Sequence, residues 1–138
     1  MSGQFKQWGQ EYFRERRYEL AVQHLALAVE SFPNEEQLWF ELVLSASLSK
    51  QHEIAAKFAK QAIQHHPRSD WLWRQLGSEL IALDKLEEAE KVLENAKTLN
   101  SRAPGLWHIL AKLHHKRKDY AKEIEAWDNL GDLMKASR

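Results

Sequence analysis

Residues 73–96 read WRQLGSELIALDKLEEAEKVLENA. Apolar or small side chains stand at Trp73, Leu76, Gly77 and Leu80, then at Leu86, Ala89, Leu93 and Ala96. Steps of three and four are the period of a helix with one buried face. Asp84 and Lys85 interrupt the pattern, so the stretch predicts two helices joined by a tight turn. A step of 34 residues from Trp73 reaches Trp39 in one direction and Trp107 in the other. Leu42, Leu76 and Leu110 keep the same spacing, as do Ala21, Ala55 and Ala89, Ala28, Ala62 and Ala96, and Pro33 with Pro67. Five columns sharing one period mark an internal repeat.

The punctuation of the chain agrees. Breakers cluster at Phe32-Pro33-Asn34, at 66–70 (HPRSD) and at 100–105 (NSRAPG). Proline disfavours helix in the residue before it, so each cluster closes one helix and opens another. Weaker interruptions fall near Arg16-Arg17, Lys50-Gln51, Asp84-Lys85 and Lys118-Asp119. Together these predict eight helices over 3–15, 18–31, 36–49, 52–65, 70–83, 86–99, 104–117 and 120–135.

Composition narrows the classes. The 138 residues carry 20 basic and 20 acidic side chains and no cysteine. Zero formal charge argues against a broadly basic surface for nucleic acid or an anionic membrane. The absence of cysteine excludes disulfide scaffolds, zinc ribbons and thiol catalysis. Hydrophobic residues make up 43%, too many for a disordered chain. No apolar run reaches the roughly 18–20 residues of a membrane span, and the N-terminus has no apolar core of a secretory signal. A cytoplasmic protein is the resulting expectation.

The repeat resembles the tetratricopeptide repeat (TPR), a 34-residue helix–turn–helix unit. The third unit has Trp73, Leu76, Gly77 and Leu80, then Ala89, Leu93 and Ala96; the first has Phe5, Trp8, Gly9 and Tyr12, then Ala21, Leu25, Ala28 and Pro33. The second keeps Trp39, Leu42, Ala55, Ala62 and Pro67 but has Val43 and Ala46 where Gly and Tyr are usual. The fourth keeps Trp107 and Leu110, with Ala111 for Gly, Glu123 for the first Ala and Leu130 for the second. The resemblance implies an all-α solenoid: one domain over 1–138, units about 2–33, 36–67, 70–101 and 104–137, coiled as a right-handed superhelix. It also implies a concave groove, lined by the first helix of each pair, that takes a peptide segment or a partner helix.

The inner stripe lies one residue on from the core stripe, about 100° around the helix. That register places Lys6, Gln10 and Phe13 in the groove from the first unit and Phe40, Glu41 and Leu44 from the second. Trp71, Arg74, Gln75 and Ser78 come from the third, and His108 and Lys112 from the fourth. Phe13, Phe40, Leu44 and Trp71 are apolar where exposure is expected, and Arg74, His108 and Lys112 are basic. The stripe therefore suits an apolar segment with some acidic residues; the alternative is that these side chains pack beneath neighbouring helices. A carboxylate clamp like that of chaperone-binding relatives matches only at Lys6. Gln10, Glu41, Trp71 and Gln75 depart from it, and Glu41 would repel a carboxylate.

The last helix carries Trp127, Leu130 and Met134, which suggests self-association and a scaffold, or a fragment of a longer array, or packing within its own unit. RNA binding is a lesser alternative, resting on Lys112, Lys116, Arg117 and Lys118. The units carry no repeated polar pair that would read bases. No Gly-rich phosphate loop and no G-x-S-x-G occurs. In His52-Glu53, Ala56 replaces the second histidine of H-E-x-x-H. No enzyme activity, metal or cofactor is expected.

Overall fold

A computed structural model describes residues 2–136. Among them eight helices occur: α1 (Ser2–Arg14), α2 (Tyr18–Ser31), α3 (Glu36–Leu48), α4 (His52–His65), α5 (Asp70–Ala82), α6 (Leu86–Leu99), α7 (Pro104–Lys116) and α8 (Tyr120–Ala136). No strand is present among the described residues. The helices divide into two compact units, Met1–Arg68 and Ser69–Arg138. The second helix of each of the first three pairs has the expected bounds. The first helices of all four pairs stop one residue early, at Arg14, Leu48, Ala82 and Lys116. The reason is the turn: Ser49, Leu83 and Arg117 have already left the helix, with ψ near zero (9°, 4° and −2°).

Each of these turns is closed in one way. Arg16, Lys50, Asp84 and Lys118, spaced by the repeat, all have φ of 60–61°. The next residue donates its N–H back five positions: Arg17 to Tyr12, Gln51 to Ala46, Lys85 to Leu80 and Asp119 to His114, at 2.8–2.9 Å. This is the Schellman closure, in which a left-handed residue satisfies the last free carbonyls. Glycine is the usual residue there, and none of the four is glycine, which is why the sequence signal at these turns is weak.

In the first unit, Ala21, Leu25 and Ala28 of α2 and Leu38, Leu42, Val43 and Ala46 of α3 have no exposed surface. The tight points are small residues under leucines. A Cβ built on Gly9 would lie 2.7 Å from Leu25, and one on Gly77 would lie 2.4 Å from Leu93. The Trp39 indole N–H donates to the Pro33 carbonyl at 2.8 Å, and His66 Nε2 reaches the same oxygen at 3.1 Å. Two periods on, Trp107 donates to the Ser101 carbonyl at 2.8 Å. The tryptophan column thus fastens a helix to the loop before it. Trp39 is 3% exposed, whereas Trp73 is half-buried.

The left-handed turns carry a testable cost. A residue with a Cβ is disfavoured in this conformation and a β-branched one more so. Lys50→Gly should raise stability by about 0.5–1 kcal/mol and Lys50→Val should lower it by about 1–2 kcal/mol. Urea midpoints of the two variants should move in opposite directions from wild type.

Candidate interaction faces

In the first unit, α1 and α3 lie side by side. Gln10 on α1 donates to the Glu41 carboxylate on α3 at 2.8 Å. Glu41 is 6% exposed, so it is a buried link between helices rather than an open groove residue. Lys6 is engaged too. Its ammonium pairs with Glu35 at 2.8 Å and lies 5.3 Å from the Phe32 ring centre. Phe13 is half-buried, edge-on to Tyr18 at 6.1 Å. Phe40 and Leu44 are half-buried one helical turn apart on α3. Of the six groove residues placed here, Lys6 is paired with Glu35 and Gln10 with Glu41. Phe13, Phe40 and Leu44 keep part of their apolar surface open.

In the second unit, Trp71, Arg74, Gln75 and Ser78 on α5 are half-buried. The Arg74 guanidinium pairs with Asp70 at 3.3 Å, one turn earlier. A Cβ on Gly105 would lie 2.6 Å from its terminal nitrogen, so the side chain runs across the start of α7. It braces α5 against α7 and does not stand free. Gln75 donates to Glu79 at 2.8 Å, and Glu79 is 1% exposed. His108 and Lys112 on α7 are exposed. His108 lies edge-on to Trp127 of α8 at 5.6 Å, and His115 donates to Glu123 at 3.1 Å. This side of α7 therefore borders α8.

On α8, Trp127 is 42% exposed and Met134 51%, with Leu130 half-buried. Tyr120 and Ile124 are exposed as well, at 56% and 61%. Positions 120, 124, 127 and 134 fall on one helical stripe. The Trp127 indole N–H donates to Glu123 at 3.3 Å. Among the described residues no three His, Cys, Asp or Glu side chains could hold a metal together, and no helix is long and apolar enough to cross a membrane.

Two features went unmarked in the sequence. One is a cleft of about 600 Å³ between α2 and α4, lined in part by Leu27 and Phe58. The other is a charged cleft of about 220 Å³ where α6, α7 and α8 meet, lined by Glu90, Glu94, Lys97, His114, Lys122 and Glu125 among others. Arg117 pairs with Glu90 beside it. Burial, with the Lys122 ammonium second, lowers the His114 imidazole below its ordinary value. The hydrogen bond from His115 holds the Glu123 carboxyl below the usual carboxylate range. A signal for the first cleft existed: Leu27 and Phe58 are bulky apolar residues outside every repeat column.

Residues 72–102 match a family model described as tetratricopeptide repeat. This chain has the tetratricopeptide-repeat fold. A crystal structure of MamA superposes with TM-score 0.86 at 16% identity, covering 96% of this chain and 73% of its own. The first TPR of Spaghetti (RPAP3), bound to the HSP90 peptide SRMEEVD, gives 0.74 at 20% identity, covering 85% and 93%. The TPR2B domain of yeast Sti1, in a pHsp70 complex, gives 0.70 at 15% identity, covering 83% and 97%. At these identities the likeness is one of fold. No curated protein matches the sequence.

The His114 environment sets a pH dependence. A histidine whose pKa is lower folded than unfolded is protonated first in the unfolded chain, so stability falls as pH drops below about 6.5. Between about pH 7.5 and 5.5, the fall in urea midpoint should be smaller for His114→Gln than for wild type.

Proposed function

We propose that this TPR-fold chain is a non-enzymatic protein-interaction module. It holds a linear peptide or a partner helix along the α1–α3 face of its first unit. In the second unit, Trp71 and Ser78 on α5 and the exposed His108 and Lys112 on α7 offer further contact surface. One observation carries the reading: Phe13, Phe40 and Leu44 leave apolar surface open on a face whose polar residues, Lys6, Gln10 and Glu41, are engaged with one another's helices and loops. The relatives bound to HSP90 and Hsp70 segments show that this fold can take a peptide. The ligand class differs here. With Lys6 tied to Glu35 and Glu41 standing beside Gln10, a terminal carboxylate finds no clamp on the first unit, so the segment held there is apolar; on the second unit, His108 and Lys112 would meet acidic residues. No catalytic residue, metal or cofactor enters this reading.

Self-association through α8 is the second reading. It rests on the exposed stripe of Tyr120, Ile124, Trp127 and Met134, because contiguous apolar surface marks interaction sites.

The two readings separate by mutation. Phe40→Glu with Leu44→Glu should remove specific captures from the source lysate while helical circular dichroism and native mass stay unchanged. A partner retained at wild-type level would overturn the groove assignment. Trp127→Glu should lower the mass measured by light scattering and leave peptide capture intact; an unchanged monomeric mass in wild type and variant alike would overturn the scaffold.

A further inference from the structure

The cleft between α2 and α4 belongs to neither face discussed above. One wall is α2, where Gln23, Ala26, Leu27 and Glu30 recur at helical spacing; the other is α4, with Lys57, Phe58 and His65; Trp39 lies at its base. Leu27 is 44% exposed and Phe58 half-buried. The His65 ring stacks on Trp39 at 5.8 Å.

The repeat supplies an internal control. Two periods on, the same place in the second unit is the charged cleft. Ala26 becomes Glu94, Val29 becomes Lys97, Lys57 becomes Glu125 and Phe58 becomes Ala126, while Trp39 remains Trp107. There the tryptophan face is covered by the Lys97 ammonium, 5.4 Å from the ring centre. The fold therefore does not require an apolar lining at this position. Its presence in the first unit exposes leucine and phenylalanine to water at a site where the second unit carries charged residues, and exposed apolar surface of this kind marks a binding site.

We propose that the α2–α4 cleft is a second docking surface, which takes a short amphipathic helix of a partner protein. Three features select a helix. The walls are helix flanks whose backbone groups are already paired within their own turns, so an extended chain would gain no main-chain partners, whereas a helix satisfies its own. From Gln23 to Glu30 and from Lys57 to His65 the cleft runs about 10–12 Å, two helical turns. A helix meets that length with apolar anchors at i, i+4 and i+7, packed on the open surface of Leu27 and Phe58. The two walls also differ in charge: Glu30 stands on the α2 side and Lys57 on the α4 side. A helix with lysine on one flank and glutamate on the other complements both, and the pair fixes the direction in which it lies.

The probe is a stapled helix of about 14 residues, roughly 21 Å long. It carries leucine at i, i+4 and i+7, lysine on one flank, glutamate on the other and a spin label at its N-terminus. Titrated into the full chain labelled with nitrogen-15, it should shift amides of 23–30 and 57–65 and saturate. Leu27→Gln, at an exposed position that spares the fold, should weaken binding about tenfold, and Phe58→Leu should weaken it less. Leu44→Gln, on the α3 face, should change nothing. In the exchanged variant Glu30→Lys with Lys57→Glu, the spin-label broadening should move from one end of α2 to the other. The proposal is overturned by shifts that do not saturate or fall outside these segments, by equal binding to Leu27→Gln, or by broadening that stays at the same end of α2.

Discussion

Everything in this chain hangs on how closely the two helices of a pair can approach. At Gly9 and Gly77 there is no room for even a methyl group, because Leu25 and Leu93 occupy the space. A leucine pressed onto bare backbone buries its whole side chain, and both leucines have no exposed surface. Where the repeat changes one partner it changes the other. In the second pair Val43 replaces the glycine and Ala59 stands in the leucine's place; both are fully buried. In the fourth pair Ala111 keeps a Cβ while Trp127 takes the leucine's place. An indole is too large to follow, and it stays 42% exposed beside His108.

This size matching explains how much of the fold was legible in the sequence. A repeat multiplies weak signals: a column such as Leu42, Leu76 and Leu110 reports the same helix face three times. Departures from the repeat pattern such as Val43 and Ala111 concern packing partners rather than helix formation, so α3 and α7 survive them. The turns were found by the loss of periodicity and not by their own chemistry, since Arg16, Lys50, Asp84 and Lys118 carry no glycine signature.

The candidate faces were less legible, for a physical reason. Helical register tells which stripe a residue occupies. It does not tell which side chain from another element reaches back to it. Lys6 stands on the expected stripe, yet Glu35, 29 residues away, holds it. Gln10 and Glu41 share that face and neutralise one another's appeal to a ligand. Arg74 is spent on Asp70 and on crossing Gly105. The apolar members Phe13, Phe40, Leu44 and Trp71 are half-buried on the stripe expected of them.

The seams between successive pairs are made of different material in the two units. In the first, Val22 and Val29 are buried between α2 and what packs on it. In the second, the same positions are Glu90 and Lys97, engaged with Arg117 and the Trp107 ring. Apolar contact weakens on cooling, whereas exposed ion pairs weaken as added salt screens them. The halves of one chain are thus tuned to different solvent variables: chilling acts first on the α2–α3 seam, and brine acts first on the α6–α7 seam.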